Sequence, residues 1–351
     1  MTTSLFDHPW MGGLFADEAT QAEWATDAQL PRLIAFERAL TEALIAVGDV
    51  SEQDGATALT SLDNFAPDIP GLREGVAKDG LVVPALVRQM RDACTAPKAI
   101  HNGSTSQDLL DTVLVQTLEA IRSLHCARLA EVITAISALA DRYGTTELMG
   151  RTRMQAALPI TAAYRLNTWR APLQRLQTDG EALAADLKVI QFGGPVGDRG
   201  TFSAKADDIA AHMAAALGAR DDGCWHTDRS LIVRFGNWQS MISGALGKIG
   251  TDLCLMAQQG IDEVKIAGGG ASSAMAHKAN PIRAELLVTL AHYNAAQMGA
   301  LHNTLVHEQE RSGAMWALEW MVLPPITVTA GRALSAASEV LGQIERIGPR
   351  S

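Results

Sequence analysis

The sequence predicts an all-α protein built on a bundle of very long helices. Three observations point there. From Ser104 to Tyr143 the chain has neither glycine nor proline, and Leu114, Leu118, Ile121, Leu129, Val132, Ile136 and Leu139 recur at helical steps. Aromatic residues make up only 5% while alanine is abundant, a mix that favours close helix packing over a β-sandwich. No segment carries a strand pattern of comparable strength.

Each element follows in order. The segment TDAQLPRLIAFERALTEALIAVGDVS reads as a helix with apolar Leu33, Ile34, Leu40, Leu44 and Ile45, ending near Gly48. A Pro/Asp/Gly-rich piece spans Asn64 to Gly80, and LVVPALVRQMRDAC reads as the next helix. The stretch from Ser104 to Tyr143, if helical throughout, spans roughly 60 Å at about 1.5 Å per residue. Helices of that length belong to bundles. Ile160 to Val189 reads as a helix interrupted by Pro172 and Gly180, and Asp228 to Ile266 as another. The latter carries Gly236, Gly244, Gly247, Gly250 and Gly260, each unfavourable in a helix. Close approach of neighbouring helices is the expected compensation. Pro281 suits the first turn of a helix that can run to about Val306, and a last helix is expected after Pro325. The expected division is a small N-terminal helical domain (1–95), a central long-helix bundle (96–325) and a short C-terminal helical remnant (326–351).

Composition bounds the function. With 47% hydrophobic and 19% charged residues the chain is an ordinary globular one. The formal net charge of −10 argues against a nucleic-acid surface. A few cations focused in a cleft can still attract an anionic ligand. Cys94, Cys126, Cys224 and Cys254 lie far apart, which is expected of free thiols in a reducing compartment. No secretory signal opens the chain, and no run of about 18 apolar residues suggests a membrane-spanning helix. Cytoplasm is the expected location.

Four runs carry chemistry. GASSAMAHKANPIR, residues 270–283, packs Ser272, Ser273, His277, Lys278, Asn280 and Arg283 into a loop entered through Gly268, Gly269 and Gly270. Such a loop can close over a ligand. HNGSTSQDLLDT, residues 101–112, precedes the longest helix, where free N–H groups and the dipole favour carboxylates. A plain cap by Ser or Thr with Asp108 reads equally well there, and the two roles can coexist. The third run is GRTRMQAALPIT, residues 150–161. The fourth is HEQERSGAMWALEWMVLP, residues 307–324, with Arg311, Trp316 and Trp320. The Gly-rich QFGGPVGDRGTF, residues 191–202, is no dinucleotide fingerprint and reads as a helix connection. His226 reads as marking a helix start. No metal-ligand spacing, nucleophile elbow or P-loop is present.

Together and in this order, the four runs resemble the shared regions of the fumarase/aspartase superfamily. The loop is similar to SSxMPHKxNP, with Ala276 where proline is usual; the second run to HxGxTSxDxxDT; the third to GRTxxQxAxPxT. The resemblance covers roughly residues 85–325 and implies a fumarase/aspartase-type bundle in which the chain assembles as a homotetramer, each site drawing on three subunits. It implies catalytic Ser272, with Ser273 as alternate, and Lys278. His101, Thr105, Ser106, Gln107, Arg153, Gln155, Asn280 and Arg311 are then the expected substrate ligands, with no cofactor and no metal. Relatives carry a longer C-terminal helical domain than the residues after Pro325 provide.

Within the superfamily, TSQD and the Trp-rich run are more similar to the cycloisomerase branch. Adenylosuccinate lyases keep a histidine acid after GRT, where this chain has Arg153. An amine leaves poorly unless protonated, whereas a carboxylate leaves readily because its conjugate acid has a pKa of about 4. Arginine donates no proton at neutral pH but can pair with a carboxylate. The resemblance therefore implies a small tricarboxylate substrate and lactonisation of 3-carboxy-cis,cis-muconate in protocatechuate breakdown. A C–N or C–O lyase of the same superfamily and a catalytically silent structural protein are the rival readings.

Overall fold

The computed structural model describes residues 4–271, 275 and 279–349, apart from the side chains of Ser203 and Ala271. Short helices α1 (Gly12–Phe15) and α2 (Glu18–Trp24) lead into α3 (Thr26–Ala46), α4 (Glu52–Asp63), α5 (Ile69–Asp79) and α6 (Val83–Asp92). The Pro/Gly-rich stretch before residue 80 thus contains a helix. Asp68 caps α5, a proline sits in its first turn, and Gly80 closes it at φ 77°.

The long helix is α7, Ser106–Tyr143, 38 residues, or about 57 Å at about 1.5 Å per residue. Thr105 and Asp108 form a capping box at its start. An 18-residue window of α7 reaches a mean hydropathy of 1.3, so by length and composition it could cross a bilayer. Its Leu118, Ile121, Leu129, Val132 and Ile136 are instead buried in the bundle. That core is shared with α8 (Ala162–Leu187), α10 (Ser230–Met256), α11 (Ile282–Asn303) and α12 (Gly313–Gly342). A second apolar cluster joins α3 to α6, the start of α7, Ile190, Phe192 and α9 (Ala206–Ala216). α8 runs unbroken through Pro172 and Gly180; a Cβ at Gly180 would lie 2.5 Å from Trp238. The same close approach explains α10, where a Cβ at Gly250 would meet Ala284 O at 2.4 Å.

Three expectations need correction. First, the last helix begins at Gly313, not after Pro325, because Ser312 Oγ caps it by accepting from Met315 N. Pro324 and Pro325 lie inside the helix, so the expected 325/326 boundary falls within it. Thr327 Oγ1 donates to Pro324 O, and Asn294 Nδ2 donates to Ile326 O beside the prolines. Second, α10 stops at Met256; Val264–Ile266 forms β3, which pairs with β6, Ile344–Ile347. Third, GRTRMQAALPIT lies in a hairpin, β1 (Glu147–Thr152) antiparallel to β2 (Gln155–Thr161). Its two-residue turn puts Arg153 at φ 49° and Met154 at φ 66°. Hairpin turns of that hand normally use Asn-Gly or Asp-Gly, so no sequence signal announced it. A third small pair joins β4 (Gly270–Ala271) to β5 (Ala279–Asn280).

Candidate active site

Asp108 organises the N-terminal end of α7. Its Oδ2 accepts from Thr105 N at 3.0 Å, Ser104 Oγ at 3.2 Å and Gly194 N at 2.9 Å. Its Oδ1 accepts from Gly193 N at 2.8 Å and faces His226 Nε2 at 2.9 Å. The capping carboxylate therefore also fastens the Gly-rich connection and a buried imidazole to the helix end. Burial disfavours charge on His226, but the bond to Asp108, the neighbouring Cys224 and the Asp108 charge prevail and hold its pKa at about 9. His226 precedes α10, as expected of a helix start, yet its main contact is this ion pair.

One turn further along α7, Asp111 receives both Nη atoms of Arg229, at 2.7 and 3.0 Å. Glu319 of α12 takes Arg229 Nε at 3.0 Å and Nη2 at 2.7 Å. Arg229 and Glu319 side chains are 0% exposed, so α7, α10 and α12 are clamped by a buried triad. The two carboxylates hold the guanidinium firmly protonated against burial, while burial pushes the Glu319 carboxyl upward.

Gln107 joins this network. Its Nε2 donates to Asp111 Oδ2 at 3.0 Å and to His226 O at 2.8 Å, and its Oε1 accepts Arg311 Nε at 2.7 Å. The side chain is fully buried and its amide is used internally. Gln107, an expected substrate ligand, lies in the first turn of α7 and in this chain spends its amide on Asp111, His226 and Arg311. Arg311 Nη2 also donates to Pro195 O. Trp316 and Trp320 pack on each other with ring centroids 4.7 Å apart.

His101 stands just before the helix at φ 52°. Its Nδ1 lies 2.6 Å from Oε1 of fully buried Glu37. Burial opposes charge on the ring, but Glu37 outweighs it and raises the pKa. Thr105 and Ser106 are half-buried, and Ser106 and His101 line a cavity of about 430 Å³. Thus Thr105, Ser106, His101 and Arg311 gather at one end of α7, where cations and free helix N–H groups can receive a carboxylate.

Arg153 and Gln155 do not join them. They are exposed on the hairpin that follows the other end of α7. The ten residues from Tyr143 to Arg153 span at most about 35 Å extended, so within one chain Arg153 stays at least about 20 Å from Ser106. Arg153 lines a separate cavity of about 800 Å³, with Arg151, Tyr164, Arg165 and Lys248. Asn280 is half-buried in β5, its backbone paired with Gly270. Ser272, Ser273 and Lys278 lie outside the described residues.

Sequence reasoning missed Glu37, Asp111, His226, Arg229 and Glu319 as parts of this end. Local signals were present: Asp111 lies within the run 101–112, Glu319 within the run 307–324, and His226 and Arg229 stand just before α10. Among the described residues no group of three or more His, Cys, Asp or Glu could hold a metal ion.

Comparison with known proteins places these features in context. A family model described as Lyase matches residues 38–293. The chain is 33% identical over 341 residues to 3-carboxy-cis,cis-muconate cycloisomerase of Pseudomonas aeruginosa, covering 93% of this chain and 73% of that protein. It is 30% identical over 344 residues to nitrosuccinate lyase of Streptomyces davaonensis, covering 93% and 72%. Among solved structures, the 3-carboxy-cis,cis-muconate lactonizing enzyme of Pseudomonas putida superposes with a TM-score of 0.89 at 29% identity, covering 97% of this chain and 77% of that one.

Proposed function

The chain belongs to this lyase family, the fumarase/aspartase superfamily, and from that premise we propose that it is a cycloisomerase acting on 3-carboxy-cis,cis-muconate. The product is 4-carboxymuconolactone, within protocatechuate catabolism by the β-ketoadipate pathway. The observation that carries the reading is Arg153. It stands where a C–N lyase of the family keeps its acid, and a guanidinium cannot supply a proton at neutral pH. Lactone formation and opening exchange a carboxylate, which needs no such acid.

In this reading one substrate carboxylate oxygen attacks a carbon of the conjugated diene. A C–O bond forms, a C=C bond breaks, and the electron pair moves onto a neighbouring carboxylate as an aci-carboxylate. Thr105, Ser106 and Arg311 at the end of α7, with Lys278 and Asn280 from the loop, stabilise that charge. Ser272 then delivers a proton to carbon, activated by Lys278 and loop amides; Ser273 is the alternate. The length of α7 separates Arg153 from Thr105 and Ser106 within one chain, and the proposal brings the site together across subunits of a cytoplasmic homotetramer.

A second reading, elimination from a substituted succinate, draws support from the likeness to nitrosuccinate lyase. An ultraviolet assay of the purified protein separates the two. Loss of diene absorbance with carboxymuconate, and no fumarate released from adenylosuccinate, argininosuccinate or nitrosuccinate, is the expected result. Turnover of any of these succinates without turnover of carboxymuconate overturns the proposal.

A further inference from the structure

The cavity beside Ser106 has a wall that the reading above leaves unused. It is lined by Val83, Val87, Arg88 and Arg91 of α6, together with Asp92, His101 and Ser106. Arg88 and Arg91 are three residues apart and share one face of α6. Val83 and Val87 are buried beneath them. Arg91 is fixed: its Nε and Nη2 donate to Ile100 O at 3.2 and 2.9 Å, and Nη2 reaches His101 O at 3.4 Å. Arg88 makes no hydrogen bond or ion pair among the described residues, although it lines the cavity. His101 is paired with buried Glu37, so that pair adds no net charge. Arg88 and Arg91 outnumber the one lining carboxylate, Asp92, so the cavity carries net positive charge.

We propose that Arg88 and Arg91, with His101, form a carboxylate subsite beside the first turn of α7, distinct from the Thr105–Ser106 position, and that it selects a tricarboxylate over a dicarboxylate. The proposal rests on placing substrate at this end of α7. The physical case is charge matching. A helix end with two hydroxyls receives one carboxylate, and a second anion on the same ligand needs its own donors. An idle guanidinium beside an anchored one supplies a fork suited to that geometry. A cavity of about 430 Å³ is within the range of small-molecule sites.

The test uses binding, so it does not depend on turnover. Tricarballylate and succinate are titrated by calorimetry into the full chain, Arg88→Ala and Arg88→Lys. Loss of one charge-assisted contact should weaken tricarballylate about 10-fold or more in Arg88→Ala. Succinate should change by less than about two-fold, and Arg88→Lys should recover part of the loss. Arg88 is exposed on α6, so alanine leaves the helix intact. If the protein turns over carboxymuconate, KM should rise in Arg88→Ala while kcat holds. Unchanged tricarballylate affinity, or equal losses for both ligands, overturns the subsite. A chain that shows the selective loss but leaves carboxymuconate untouched keeps the subsite and loses the cycloisomerase reading.

Discussion

Replacing Arg229 by methionine is the sharpest test of how the N-terminal end of α7 is held. Methionine fills similar volume but removes four hydrogen bonds to Asp111 and Glu319. Both carboxylates stay buried and lose their countercharge. Breaking a buried pair in this way costs about 3–5 kcal/mol. At about 2.1 cal/mol/K per residue, a 351-residue chain unfolds with an entropy of about 0.7 kcal/mol/K, so the melting temperature should drop by about 4–7 °C. The deficit should depend on pH. An unpaired buried carboxyl has a folded pKa above its unfolded value, so it stabilises fully below the unfolded value and loses that contribution as pH rises through the folded one. The variant should therefore trail the parent more at pH 8 than at pH 5. Adding Asp111→Asn and Glu319→Gln should recover much of the loss at pH 8, because no buried charge remains. Scanning calorimetry at both pH values gives the answer. A melting temperature within about 1 °C of the parent at pH 8, or no recovery in the triple variant, would refute the clamp.

Three further outcomes are expected. His226, 3% exposed, has a pKa raised from 6.5 to about 9, so its ion pair stabilises fully below pH 6.5 and fades as pH rises through 9. That gap is worth about 3 kcal/mol, and urea titrations of His226→Gln should show the loss between those pH values flattened. His125 has the opposite sign: burial holds its pKa at about 4, with Thr20 Oγ1 at Nε2 and Gln239 Oε1 at Nδ1. Its contribution is present above pH 6.5 and vanishes as pH falls through 4, again about 3 kcal/mol, and His125→Asn should unfold over a lower acid range than its total destabilisation alone predicts. Ser272→Ala should cut kcat by several orders of magnitude with KM nearly unchanged. Co-refolded with Thr105→Ala it should regain part of the activity; no regain would refute sites shared between subunits.

What the sequence revealed depended on the range of the interaction. α7 was legible because its signals are local: no Gly or Pro, a helical apolar step, and Thr105 three residues ahead of Asp108. The motif order was legible as family resemblance. The hairpin was not, since Arg153 and Met154 hold positive φ without the usual turn residues. Pro324 and Pro325 read as a boundary because their effect on an isolated helix is severe, yet buried neighbours such as Leu323 and Ile326 keep α12 continuous. The contacts of Gln107 and His226 were not legible for a different reason. Their partners, Arg311 and Asp108, lie 204 and 118 residues away, beyond any periodicity.

That separation also sets a timetable. Thr105 can cap its helix as soon as the first turn forms, but Asp111 waits for Arg229, 118 residues later, and Gln107 for Arg311, 204 residues later. At about 5–20 residues per second of synthesis, the interval from Gln107 to Arg311 is about 10–40 s. During that time the nascent α7 keeps Asp111 and Gln107 hydrated, because desolvating them without partners is unfavourable. This end of the bundle therefore stays open on the ribosome until late in synthesis, and its clamp locks only after the start of α12, with Glu319, has emerged.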